Sequence, residues 1–210
     1  MKYLNETNNH IFICGITRSG KTYFTKYATA KLKRPVLFFN IQDEELPPPF
    51  LEYDPTKSIS QLQKLLRSGY KINFRFGDLS QKQIMRIIAF ILDALMLSGD
   101  YSQAKPIYIV LDEAQILKGE ALRAAIDVST RGLSRGLRLI SITQRPALVN
   151  KTIYTQAVEQ YIFRLAPSEA QYLKAKGIDF DYCLKEWERL GKYSYIYSDG
   201  FTLKGQRGIT

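Results

Sequence analysis

Gly15, Gly20, Lys21 and Thr22 stand at the spacing G-x-x-x-x-G-K-[ST], within Gly15-Ile16-Thr17-Arg18-Ser19-Gly20-Lys21-Thr22. This pattern makes a phosphate-binding loop. Its glycines let the backbone curl until successive N–H groups, those of Thr17, Arg18 and Ser19 among them, point inward at phosphate oxygens. A helix that begins where the loop ends turns its positive terminus to the same phosphates. Lys21 then reaches the β- and γ-phosphates of a nucleoside triphosphate, and the Thr22 hydroxyl is a ligand for Mg²⁺. The motif has force only between a strand and a helix, and both are expected. Apolar Ile11-Phe12-Ile13-Cys14 precedes it, and 23–33 contains neither Gly nor Pro.

A second chemistry-bearing stretch closes another apolar run, where Ile107-Tyr108-Ile109-Val110-Leu111 leads into Asp112-Glu113. In an open parallel sheet, ligands gather at the carboxyl ends of the strands. These acids and the loop are therefore expected at one edge. Asp112 is placed to hold Mg²⁺ through its water shell. Glu113 is the candidate base that orients and polarises a water for attack on the γ-phosphate. Alone, the pair reads as readily as a solvated acidic turn; beside a phosphate loop the catalytic reading is favoured. A further run, Leu139-Ile140-Ser141-Ile142-Thr143, ends in Gln144. An amide there suits a hydrogen bond to the γ-phosphate or the attacking water, and a plain loop residue before Arg145-Pro146 fits as well. Arg131 and Arg135 lie in a Gly-containing loop. They are either solvated charges or an arginine finger, which donates to the γ-phosphate of a neighbouring subunit.

Positioning these groups takes alternating strands and helices. Strands are expected at 11–14, 36–39, 70–76, 106–111, 137–143 and 161–164, and helices at 20–32, 59–67, 80–97, 120–130 and 168–176. Ser58 or Ser60 is expected to cap the second helix, which ends at Gly69, and Ser168 to cap the last. Pro47-Pro48-Pro49 keeps 40–55 irregular, and 1–9 is expected as a loose or edge lead-in. A hairpin over 192–203 turns at Asp199-Gly200. The alternation gives an α/β fold: a mostly parallel sheet covered by helices on both faces, with a small C-terminal β-hairpin, in one domain over 1–210.

The 210 residues carry 30 Lys+Arg against 20 Asp+Glu, a net charge of +10. The excess is spread along the chain and not gathered in a tail. Such a balance suits a polyanionic partner, nucleic acid or an anionic membrane surface. Cys14 and Cys183 have no disulfide-framework or metal-ligand spacing, and the single His10 makes no histidine-based metal site. Cys14 is expected to be buried and reduced. No secretory leader pattern is visible. The most apolar stretch, 84–97, is too short to span a bilayer and contains Arg86 and Asp93. These features point to a soluble, intracellular protein.

Taken together, GITRSGKT, IYIVLDEAQ and RGLSRGLRLISITQRP resemble the HerA/FtsK superfamily of DNA-pumping P-loop ATPases. Asp112-Glu113-Ala114-Gln115 and Thr143-Gln144-Arg145-Pro146 are the most telling parts, and 158–177 resembles the family's return strand and following helix. The resemblance spans about 11–203, with no room for the β-barrel of HerA or the membrane region of FtsK. It is strongest to the genome-packaging ATPases of membrane-containing icosahedral DNA viruses, archaeal ones included. It implies a RecA-like P-loop NTPase core, with ATP and Mg²⁺ as cofactors and a homohexameric ring that hydrolyses ATP at subunit interfaces. It further implies double-stranded DNA in the pore, a capsid or viral membrane vertex protein as partner, no transmembrane segment, and a place in the host cytoplasm or with the virion. Two positions depart from the family pattern. Leu133 stands where an Arg is common, which moves the finger to Arg131 or Arg135, and Asn40 stands where many relatives carry an Asp. For a translocase, the candidate DNA contacts are Arg145, Lys151, Lys174 and Lys176. Two other classes share the motifs. One is a P-loop kinase of a nucleotide or small molecule, disfavoured by Glu113 and by the lack of a lid with clustered arginines. The other is a nucleotide-dependent virion assembly factor, which in this superfamily typically has a transmembrane helix.

Overall fold

Runs of consecutive apolar residues without polar alternation can be satisfied only by burial on both faces of a sheet. The computed structural model, which describes residues 4, 7–55, 57–98, 101 and 105–208, places them so. Every residue of β1 (Ile11–Cys14), β2 (Val36–Asn40), β5 (Ile107–Leu111) and β6 (Leu137–Thr143) is buried. With β3 (Leu51–Tyr53), β4 (Lys71–Arg75), β7 (Glu159–Phe163), β8 (Tyr195–Ser198) and β9 (Leu203–Gln206) they form one sheet. Its order is β3-β4-β2-β5-β6-β1-β7-β8-β9. Strands β1 to β7 pair in parallel, and β8 and β9 pair antiparallel at the far edge. This is the RecA-like P-loop NTPase arrangement expected from the motifs.

Because successive strand residues point to opposite faces, each central strand feeds two cores. Phe12, Cys14, Leu37, Phe39, Ile109 and Leu111 pack on the face covered by α2 (Ile59–Arg67), α3 (Gln81–Ser98), α4 (Gly119–Arg131), α5 (Lys151–Gln156), α6 (Pro167–Lys174) and α7 (Phe180–Leu190). Ile11, Ile13, Phe38, Val110, Ile140 and Ile142 pack on the other face, where α1 (Lys21–Lys31) supplies Phe24 and Ala28. Helix α1 is therefore the principal helical cover of one face. Phe24 holds it there, its ring centroid 5.3, 5.5 and 4.9 Å from those of Tyr161, Phe163 and Tyr195.

Some expectations need correction. The stretch 40–55 is not wholly irregular, because Leu51–Tyr53 adds a short parallel edge strand beside β4. Ser168 does not cap α6; Ala166 occupies the cap position without a side-chain hydrogen bond, and Pro167 follows in the first turn, where its fixed φ suits a helix start. Ser58 occupies the cap position of α2 without a side-chain hydrogen bond to the helix, its hydroxyl lying 2.9 Å from that of Ser60. Helices α5 and α7 were not anticipated. The lead-in at 1–9 lies mostly outside the described residues, although Leu4 is buried in the α1-side core. The hairpin turn is as expected. Asp199 Oδ1 accepts the N–H groups of Phe201 and Thr202 at 3.1 and 2.8 Å, and Gly200 takes the left-handed conformation. Cys14 and Cys183 are both buried and unbridged. Among the described residues, no helix is long and apolar enough to cross a membrane.

His10 stands immediately before β1 and is 1% exposed. Its Nδ1 accepts the Leu139 N–H at 2.9 Å, which requires that nitrogen to be unprotonated. Burial, then the Arg138 charge, push its pKa down from 6.5 to about 4. Above pH 6.5 the imidazole is neutral folded or unfolded. Between 6.5 and 4 the unfolded chain takes a proton that the fold refuses, so stability falls as pH falls, by about 3 kcal/mol at pH 4. A His10→Gln variant should lose less stability than the wild type between pH 7 and 4.5, read as the shift of urea midpoint with pH. Parallel midpoint curves would show that another group sets the acid limb.

Candidate functional site

The edge defined by the carboxyl ends of the parallel strands gathers the loop, the acids and Gln144. The phosphate loop leaves β1 between two neighbours that pin it. Gly15 N–H donates to Thr143 O at the end of β6, and Ile16 N–H donates to Arg164 O just past β7, at 3.2 and 2.8 Å. Gly15 is needed for a close approach. A Cβ there would lie 2.5 Å from Phe163 Cβ and 2.6 Å from Ser19 Oγ. Gly20, at φ 96°, makes the left-handed turn that starts α1. A Gly15→Ala variant should be destabilised by about 1–3 kcal/mol, as overpacked sites are, and should bind nucleotide more weakly because the loop must move. A thermal melt and a nucleotide titration would check both; a wild-type melt with wild-type affinity would show that the loop has slack.

Lys21 is buried at the head of α1. Asp112 and Glu113 follow β5 and are 2% and 6% exposed. Burial, then the Glu113 charge, push the Asp112 carboxyl up from 3.8 to about 7, and Lys21 opposes this. A desolvated carboxylate facing an ammonium is a place for a cation or a charged ligand to relieve. Among the described residues no group of three or more His, Cys, Asp or Glu could form an all-protein metal cage. One carboxylate and one hydroxyl, Asp112 and Thr22, instead fit Mg²⁺, which is commonly held by one or two protein oxygens together with substrate phosphates.

Glu113 sits in the left-handed region, at φ 55° and ψ 48°. A non-glycine residue holds such a conformation only when its surroundings fix it, and here three amides do. Gln42 and Gln144 donate to Oε1, Gln144 at 3.0 Å, and Gln115 donates to Oε2. Gln144 also accepts from Thr17 Oγ1 of the phosphate loop at 2.6 Å. Gln115 accepts from Thr143 Oγ1 at 2.6 Å, and Arg145 N–H donates to the same hydroxyl at 2.9 Å. One continuous chain thus runs from the loop through Gln144 to Glu113. Gln42 lies on the loop after β2, which Asn40 shapes by accepting from Glu44 N–H and donating to Glu44 O, at 3.1 and 2.5 Å. A carboxylate could not do both, so Asn40 is adapted to its position.

A cavity of about 670 Å³ opens over the phosphate loop, lined by Thr17, Arg18, Gly20, Lys21, Thr22 and Gln144, and also by Gln42 and Tyr193. Sequence reasoning missed Gln42 and Tyr193. Gln42 follows the carboxyl end of the strand expected at 36–39, which is a usable signal; nothing local marks Tyr193.

Arg131 and Arg135 are not brought to this edge. They precede β6 and so lie at the opposite, amino-terminal edge of the sheet. Arg131 pairs with Asp127 at 3.0 Å, and Arg135 Nη1 donates to Met96 O at 2.7 Å. Arg145 and Lys151 follow β6, Lys174 ends α6 and Lys176 lies in the turn just past it; all are exposed. The two segments touch, Ala147 N–H donating to Glu169 of α6 at 2.9 Å.

Neither a family model nor a curated protein matches the chain. Solved structures do. The genome packaging NTPase B204 from Sulfolobus turreted icosahedral virus 2, in complex with AMPPCP, is 16% identical over 97% of this chain and 100% of that one, with a TM-score of 0.65. The same protein in complex with ATP-gammaS gives 17%, 97%, 98% and 0.63. Thermomonospora curvata EccC (ATPases 2 and 3), in complex with a signal sequence peptide, is 13% identical with a TM-score of 0.58; the match covers 98% of this chain and 39% of EccC. The chain shares the fold of a viral genome-packaging NTPase, in keeping with the HerA/FtsK resemblance of its motifs.

Proposed function

We propose that this chain is an ATP-driven double-stranded DNA translocase that packages a viral genome into a preformed capsid, with residues 1–210 acting as one ATPase domain. The hydrolytic part rests on the Thr17–Gln144–Glu113 chain, which ties the phosphate loop to the candidate base. The packaging part is supported by a fold shared over the whole of a viral packaging NTPase.

In this reading the backbone from Gly15 to Thr22, with Thr17, Arg18, Ser19 and Gly20 between, cradles the phosphates of ATP, and Lys21 meets the β- and γ-phosphates. Thr22 and Asp112 hold Mg²⁺, which supplies charge neutralisation when bound. Glu113 accepts a proton from a water aimed at the γ-phosphate. Gln144 orients that water and, through Thr17, registers whether the phosphate is present. Arg131 or Arg135 reaches the site from a neighbour in a homohexameric ring, which explains why neither lies at its own loop. Arg145 follows Gln144 directly, so a change at the phosphate passes in one residue to the segment with Arg145 and Lys151, and from there to α6 with Lys174 and Lys176. These cations meet the phosphates of DNA, and a capsid or vertex protein anchors the ring.

Duplex DNA should stimulate ATP hydrolysis. Binding should be independent of sequence and fall with salt, log K dropping about 0.9 per log unit of salt for each phosphate neutralised. Two unrelated duplexes titrated across a salt series, with phosphate release followed in parallel, test this. Hydrolysis indifferent to DNA, or transfer of phosphate to a nucleoside phosphate, would overturn the translocase reading in favour of an assembly factor or a kinase.

A further inference from the structure

An aromatic ring from the far end of the chain flanks the phosphate loop. Tyr193 lies in the turn that leads into β8, and because β8 is antiparallel its start falls at the edge where β1 ends. The ring presses on the loop, since a Cβ built on Gly20 would lie 3.0 Å from Tyr193 Cδ1. Tyr193 is still 39% exposed, and both it and Lys192 line the cavity over Lys21 and Thr22. The ammonium of Lys192 stands 4.9 Å from the ring centroid.

The turn is built to hold this ring. Tyr193 has φ 69°, a left-handed conformation unusual for an aromatic residue. Buried Ser194 fastens the turn, its N–H and Oγ both donating to Gly191 O at 3.4 and 2.7 Å. The segment after β9 closes over it so tightly that a Cβ on Gly208 would meet Tyr193 O at 1.9 Å. Backbone strain of this kind persists only where surroundings over-determine it.

The sheet order says which end of a nucleotide the ring would meet. Asp112, Glu113 and Gln144 lie on the β5–β6 side of β1, whereas β7 and β8 lie on the other side. The metal and the γ-phosphate belong with the acids. The base and ribose then extend toward the opposite flank of the loop, where Tyr193 stands.

We propose that Tyr193, with Lys192 beside it, is the platform on which the nucleobase of the bound triphosphate stacks, taking purines in preference to pyrimidines for their larger ring surface. This rests on the reading of Gly15 to Thr22 as a nucleoside triphosphate site. Stacking of a base on an aromatic side chain changes affinity by about 5- to 150-fold.

The test is a calorimetric titration with ATPγS, UTP and inorganic tripolyphosphate, each with Mg²⁺, on wild type, Tyr193→Phe and Tyr193→Asn. Asparagine tolerates the left-handed backbone, so that variant removes the ring and keeps the turn. The wild type should bind ATPγS more tightly than UTP, and UTP more tightly than tripolyphosphate. Tyr193→Asn should lose about 5- to 150-fold for ATPγS with tripolyphosphate unchanged, and Tyr193→Phe should keep the wild-type order. Wild type that binds tripolyphosphate as well as ATPγS overturns the platform and leaves the phosphate site standing. Equal losses of both ligands in Tyr193→Asn would make Tyr193 a support of the loop and also overturn it. Wild type that binds none of the three overturns the phosphate-loop reading itself.

Discussion

Glu113→Gln should bind ATP with near wild-type affinity and hydrolyse it about 10²–10⁴-fold more slowly, the range a positioned general base supplies. An ionised carboxylate offers roughly four lone-pair positions. Three accept amide hydrogens from Gln42, Gln144 and Gln115. One position, on Oε2, is left for water, so the cage both fixes the carboxylate and aims what remains. An amide at 113 cannot take the water's proton. It also turns a donor toward one of the three glutamines, which must give way or lose its partner. Lys21, Thr22 and the loop N–H groups are untouched by the exchange, which is why binding is expected to survive. Paired measurements decide the matter: nucleotide affinity by titration and phosphate release at saturating ATP. Turnover at the wild-type rate would remove Glu113 from the role of base, and loss of binding would make it a structural support of the loop.

How far the sequence reveals this site depends on how local each feature is. The phosphate loop and the two acids follow strands that are apolar throughout, and each motif sits within one strand-to-loop junction. Such features are legible because strand direction alone sends them to one edge. Gln144 was legible for the same reason, yet its bonds to Thr17 and Glu113 were not, since they join residues 127 and 31 positions apart. Tyr193 was beyond reach: it arrives at the loop only because β8 turns back antiparallel beside β7. The missed helices had signals of another kind. Asn150 and Asp179 accept the N–H groups of Thr152 and Tyr182, as N-caps do. Cys183 and Trp187 then lie four apart on the buried face of α7. The six residues of α5 are too few for helical periodicity to stand out. The edge strand Leu51–Tyr53 follows three prolines and pairs through three residues, so neither alternation nor apolar length marked it.

Removing the proposed trans-acting arginine should cost about 10³–10⁵ in hydrolysis with little change in ATP affinity, as arginine fingers do in related P-loop systems. Arg131 and Arg135 are both at the edge of the sheet away from their own phosphate loop, so in the proposed ring either would act on a neighbouring subunit. Their surroundings differ. Arg131 is 64% exposed at its side chain and pairs with Asp127 one helical turn away, an exposed pair of the kind worth at most about 1 kcal/mol. Arg135 reaches across to Met96 O at the end of α3, which fastens the loop before β6 to that helix. Arg131 can therefore leave its partner for a developing phosphate charge more readily than Arg135. The expectation is that Arg131→Ala abolishes most hydrolysis with an unchanged melting temperature, whereas Arg135→Ala lowers the melting temperature first. Mixing Arg131→Ala with Lys21→Ala subunits should restore part of the activity, because some interfaces then pair an intact arginine with an intact loop. Mixed rings must be shown by a tag on one variant. If they form and no ratio restores hydrolysis, Arg131 does not act in trans, and the same experiment repeated with Arg135→Ala decides between the two.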